Sequence, residues 1–162
     1  MKFSHSVKIG LTFGMTSAVV TTLALMVGLS AGTNSRLAVV GGIIVIAVAD
    51  ALSDSLAIHV SEESEGRHSA KEVWESTFAT FASKFIVGMS FVVPVLLLEL
   101  DLALKMSLIW GFIVLGIVSY ALAGLEHVKP WKVVSEHLII AAAVVWLANL
   151  IGNWVAISFG AL

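Results

Sequence analysis

Two aspartates, Asp50 and Asp54, stand four residues apart in RLAVVGGIIVIAVADALSDSLAIHV, Arg36 to Val60, a stretch otherwise almost wholly apolar. On a helix, side chains four apart leave the same face one turn from each other. Ser61 and Glu65 continue that stripe if the helix runs on, whereas His59 points well away from it. Ser53 and Ser55 flank Asp54 and can donate hydrogen bonds to it or to the backbone. An ionised carboxylate near the middle of a bilayer costs about 2.5–3.5 kcal/mol on insertion scales, and two on one face repel each other. A cation, a proton or a buried basic partner would offset that cost. Carboxylate and hydroxyl oxygens suit hard or borderline divalent ions such as Mg²⁺, Mn²⁺, Ca²⁺ or Fe²⁺, and the same groups can exchange a proton for a metal ion. Lys84 is the one lysine predicted within a span. It falls toward the same end of its span as Asp54 and His59 do of theirs, so a structural Lys84–Asp54 pair is the alternative use of the carboxylate.

The elements that must position these groups follow from composition. Of the 162 residues, 59% are hydrophobic and 12% charged, and the mean hydropathy is +1.02. A soluble domain carries about 25% charged residues, so the chain reads as an integral membrane protein with a single transmembrane domain over 1–162. Five segments reach the roughly 20 apolar residues a spanning helix needs, at about 9–30, 37–60, 78–98, 106–125 and 134–159, the third interrupted by Pro94. Spans without alternating hydrophobicity must be helices, because backbone polar groups in lipid are satisfied within their own segment. The predicted class is therefore all-α with five transmembrane helices. The apolar stretch after MKFSHSVKIG is too long for a signal-peptide core and reads as the first span. Lys2, Lys8, Arg67, Lys71, Lys129 and Lys132 outnumber Arg36 and Lys105 on the other side, which predicts a cytoplasmic N-terminus and a C-terminus outside. The absence of cysteine excludes disulfides and thiolate chemistry. No basic stripe exists, so no nucleic-acid partner is expected.

Between the second and third spans, Ser69 followed by Glu72 forms an S-x-x-E capping box that starts a helix near Ala70. Ser61 to His68 is then a short acidic connector. Glu62, Glu63, Glu65, His68, Glu72 and Glu75 gather there, either as a solvated surface or as a mouth that concentrates cations. The metal candidates are Asp50, Asp54, Glu65, Glu72 and Glu75, with Ser53, Met15, Glu62 and His68 in second place. Glu136 and His137 are weaker, since adjacent residues face apart. Met15, Met26, Met89 and Met106 could add soft ligands, although methionine in a span usually serves packing. Gly10-x-x-x-Gly14 and Gly28-x-x-x-Gly32 are spaced for close helix approach. Trp74, Trp110 and Trp131 fit an interfacial belt.

GLTFGMTSAVVTTLALMVGLSAG, ADALSDSLAIHVSEESE, FATFASKFIVGMSFVVPVLL with its Gly88 and Pro94, and WKVVSEHLIIAAAVVWLANLIG together resemble, in their order, segments of the vacuolar iron transporter family. The resemblance covers most of the chain. It implies a five-helix protomer that forms a homodimer, with an ion path between the subunits. It also implies proton-coupled movement of Fe²⁺ or Mn²⁺ out of the cytosol, with metal ions, protons and membrane lipid as the other partners. No tightly bound cofactor is implied beyond the transported metal. The expected location is a prokaryotic cell membrane. Four positions depart from the family pattern. Phe13 stands where the family has an aspartate before Gly14, Asp54 where it often has a metal-binding methionine, and Asp50 where it has a small residue. Ile46 replaces an acidic residue. The family's cytosolic metal-binding insert is reduced to about Ser61–Glu75. The expected function is thus divalent-cation transport along a carboxylate-lined path, and the alternative is a non-transporting metal sensor or assembly subunit. An enzyme is not expected, because Asp54, Ser55 and His59 do not share a helix face as a hydrolase triad would require.

Overall fold

The computed structural model describes residues 5–126 and 128–160; Lys2, used in the orientation argument, and His127 lie outside the described residues. Among the described residues six helices follow one another: α1 His5–Thr33, α2 Arg36–Glu65, α3 Ala70–Ser90, α4 Val92–Leu97, α5 Leu100–Glu126 and α6 Pro130–Phe159. With α3 and α4 taken together, five stretches of the described residues are long and apolar enough to cross a membrane.

Each boundary has a local cause. Ser35 caps α2, its hydroxyl accepting from the Ala38 amide at 3.2 Å, and Asn34 turns the chain with a φ of 46°. Gly66 ends α2 in the left-handed region at φ 62°, a conformation open to glycine at little cost. The Ser69–Glu72 capping box forms as the sequence predicts and starts α3 at Ala70. The break between α3 and α4 falls at Phe91. Pro94 donates no amide hydrogen, and its ring crowds the carbonyl four residues back, that of Ser90, where α3 stops. Pro130 opens α6, where its missing N–H goes unmissed.

Two sequence expectations change. Ser61–His68 is not all connector, because α2 runs on to Glu65 and only Gly66–Ser69 links it to α3. The helices also extend beyond the expected spans: α2 and α6 have 30 residues each, about 45 Å at 1.5 Å per residue, against a hydrocarbon core of about 30 Å. Apolar runs mark only the part that meets lipid, while polar turns, ended by Gly66 and started by the Ser69 capping box at the α2–α3 end, carry α2 and α3 further.

α1 lies at the centre and touches α2, α3, α5 and α6. Val19, Leu23 and Met26 of α1 are fully buried against Val39 and Ile43 of α2, Phe91, Val95 and Leu115, so Met26 serves packing. The glycines let α1 approach its neighbours. A Cβ added at Gly14 would meet the Thr80 carbonyl oxygen of α3 at 2.6 Å, and one at Gly152 of α6 would meet Ala31 Cβ at 2.9 Å. Both Gly-x-x-x-Gly pairs are therefore used, the first against α3 and the second against α6. Gly14→Val is expected to cost about 1–3 kcal/mol by overpacking, read as a lower unfolding midpoint in detergent. Gly41→Val, where an added Cβ meets nothing within 4 Å, is expected to leave the midpoint within about 0.5 kcal/mol of wild type. Equal midpoints for the two variants would remove the close-approach account.

Candidate cation site at mid-bundle

Asp50 lies at the midpoint of α2, and Lys84 lies near the midpoint of the α3–α4 stretch. The longer helices place both in the middle of the bundle rather than toward one end. Lys84 is 2% exposed, and its Nζ stands 2.6 Å from Asp50 Oδ2. It also pairs with Asp54 Oδ2 at close range and donates to Ser17 Oγ at 2.8 Å. Ser17 in turn donates to Asp54 Oδ2 at 2.7 Å. The Asp50 contact is an ion pair without hydrogen-bond alignment, since Asp50 Oδ2 accepts no hydrogen bond.

The cluster thus joins α1 through Ser17, α2 through the two aspartates and α3 through Lys84. Its charges do not cancel: two carboxylates against one ammonium leave one negative charge in excess. Asp50 and Asp54 keep 27% and 21% of their side-chain surface exposed. Asp50 and Ser53 line a groove of about 410 Å³ together with Leu25, Gly42, Val45 and Ile46. The lysine is sealed on the inner side while one carboxylate opens outward, so a cation in the groove would meet Asp50 first.

The other candidates spread out. Glu72 is committed to its capping box, accepting from the Ser69 amide at 2.8 Å and the Ser69 hydroxyl at 2.7 Å. Glu75 lies 3.8 Å from Lys71, and Glu65 is exposed at the end of α2. Glu62 turns inward instead, 5% exposed, with neither carboxylate oxygen hydrogen-bonded. His68 lines a separate cavity with His59 and Glu63. Met15 is half-buried on α1. Ser119 of α5 holds His137 at 2.8 Å. Among the described residues, no three His, Asp or Glu side chains converge closely enough to hold a metal ion. Sequence reasoning missed Ser17. Its only signal is that it follows Phe13 by one turn, which places the two on the same face of α1.

No protein-family model, curated protein or solved structure matches the chain.

Removing Lys84 leaves two facing carboxylates without a counter-charge. Breaking a buried pair in this way costs about 3–5 kcal/mol, and the partial exposure of both aspartates puts Lys84→Met toward the lower end. Adding Asp50→Asn and Asp54→Asn to that variant should restore most of the loss, because neutral amides need no ammonium. Thermal unfolding in detergent reads both, and a triple variant no more stable than Lys84→Met would show that charge is not what the lysine balances.

Proposed function

We propose that the chain is a membrane transporter that exchanges a divalent metal cation, Fe²⁺ or Mn²⁺, for protons at the Asp50–Lys84–Asp54 cluster. The observation that carries this reading is the surplus negative charge at mid-bundle, beside a groove that reaches Asp50. Occupied by its lysine, the cluster carries one net negative charge. If Lys84 gives up its proton as a divalent ion arrives, two carboxylates and one M²⁺ sum to zero. Ammonium and metal are then alternative occupants, and each ion bound at the cluster sends one proton away. Hydroxyl groups of Ser17 and Ser53 supply the remaining hard oxygens.

The positive-inside distribution supports a cytosolic position for the α2–α3 end, so movement from that end is efflux. The resemblance to vacuolar iron transporters supports a homodimer in which a second copy covers the Asp50 groove. A two-fold seam there would present each carboxylate twice.

Proteoliposomes loaded with a pH-sensitive dye test the reading. Mn²⁺ added on one side should enter and drive proton movement the other way. Asp54→Asn and Asp50→Asn should each lower uptake at least tenfold while the folded fraction stays unchanged. Uptake at wild-type rate in both variants would remove the aspartates from the path. Mn²⁺ binding to the cluster with no flux in wild type would favour the sensor reading.

A further inference from the structure

At the α1–α2 end of the bundle, the break between α3 and α4 leaves a groove of about 410 Å³ against α5. Val93, Pro94 and Leu97 form one wall, and Met106 and Trp110 the other. Ser90 closes its inner end and Leu98 stands at its mouth. Ser90 lies eight residues before Leu98, and Trp110 ten after Leu100, about 12 and 15 Å at the rise of a helix. The groove is therefore about as long as one leaflet of a hydrocarbon core of about 30 Å. Val93, Leu97, Met106 and Trp110 are all exposed, so it opens toward the membrane.

The polar groups inside the groove are already spent. Trp110 Nε1 donates to Ser90 Oγ at 3.1 Å, and Ser90 donates to the Val87 carbonyl at 2.6 Å. An occupant meets apolar surface along the whole length. The mouth differs. Arg36 Nη2 donates to the Leu98 carbonyl at 2.5 Å, which sets the guanidinium at the groove's outer end with its other N–H groups unspent. Glu99 is the next residue, exposed, and its carboxylate has no partner among the described residues. Asp101 and Lys105, the other two charges at this end, pair with each other at 2.6 Å. What remains is one cation and one carboxylate side by side, above an apolar groove.

We propose that this groove binds a glycerophospholipid with a zwitterionic primary-ammonium headgroup, of the phosphatidylethanolamine type. One acyl chain lies in the groove. The phosphate meets the Arg36 guanidinium, which can present two parallel N–H groups to it. The ammonium brings three N–H donors to the Glu99 carboxylate. An anionic lipid would satisfy Arg36 but set its surplus charge against Glu99. A choline headgroup has the same net charge and no N–H to donate. The pair of charges thus discriminates among lipids that a plain apolar face would take alike. The site shares no residue with the mid-bundle cluster and does not rest on the transport reading.

Delipidated full-length protein in detergent, offered equal amounts of phosphatidylethanolamine, phosphatidylcholine and phosphatidylglycerol with identical chains, tests the proposal. Native mass spectrometry reads the bound lipid. Wild type should retain phosphatidylethanolamine about three- to fivefold over the other two, the scale of an exposed ion pair. Glu99→Gln should erase the preference over phosphatidylcholine and raise phosphatidylglycerol. Arg36→Gln should weaken retention of all three, because each carries the phosphate. Val93→Trp, which fills the groove from an exposed position, should do the same, whereas Ile117→Trp, exposed on α5 away from the groove, should change nothing. Glu99→Gln alters one exposed side chain, so it tests the site even if Arg36→Gln fails to fold. Equal retention of the three lipids by wild type, the mark of annular lipid only, would overturn the proposal. So would a preference that survives Glu99→Gln, or unchanged retention in Val93→Trp. None of these outcomes touches the transport reading.

Discussion

One ammonium group ties three helices together at the centre of the bundle. Lys84 reaches Asp50 and Asp54 of α2 and Ser17 of α1 from α3, and it is almost wholly withdrawn from solvent. Such a group is not the cheapest way to hold helices together. Taking charges out of water costs several kcal/mol per ion, and apolar side chains of similar volume often do as well or better. The small-residue contacts of α1 with α3 and α6 already supply close packing without any charge. The cluster therefore adds little that packing alone could not give, and its unbalanced charge adds a liability. That excess of carboxylate over ammonium is what the proposed exchange would use.

The packing and the charge are nevertheless coupled. Ser17 meets Asp54 and Lys84 only because α1 lies against α3 along Gly10 and Gly14, and the fully buried Ala18 lies beside it on α1. One turn below Ser17, Phe13 is 38% exposed and shares its side of the helix. An aromatic ring, not a carboxylate, thus precedes Ser17 on this face of α1. The acidic groups of α2 carry the charge instead.

Much of this was legible in the sequence, for physical reasons that differ from element to element. The five spans follow from apolar length, and the start of α3 from Ser69 and Glu72, because both signals are local. The shared face of Asp50 and Asp54 follows from helix geometry alone. The partnership with Lys84 was visible only as an alternative, since it depends on how α2 and α3 rotate against each other. Ser17 carried no signal beyond its place one turn after Phe13, because nothing in TSAVVTT distinguishes a serine that bonds a carboxylate from one that bonds its own backbone. Glu62 and Glu63 make the same point. The adjacent glutamates look alike in the chain, yet α2 continues past both, so one turns into the bundle and the other to the surface. A connector, which the sequence suggested for this stretch, would have left both in water.

A histidine near a membrane surface has two nitrogens and no preferred role. Here His59 Nδ1 meets the Thr77 hydroxyl, itself committed to the Val73 carbonyl of its own helix, and Trp74 packs edge-to-face on the ring. The contrast with the centre of the bundle is chemical as well as spatial. At the α2–α3 end a hydroxyl and an aromatic ring hold the imidazole. At mid-bundle two carboxylates share one ammonium, so any ion brought there would have to compete with a positive charge already in place.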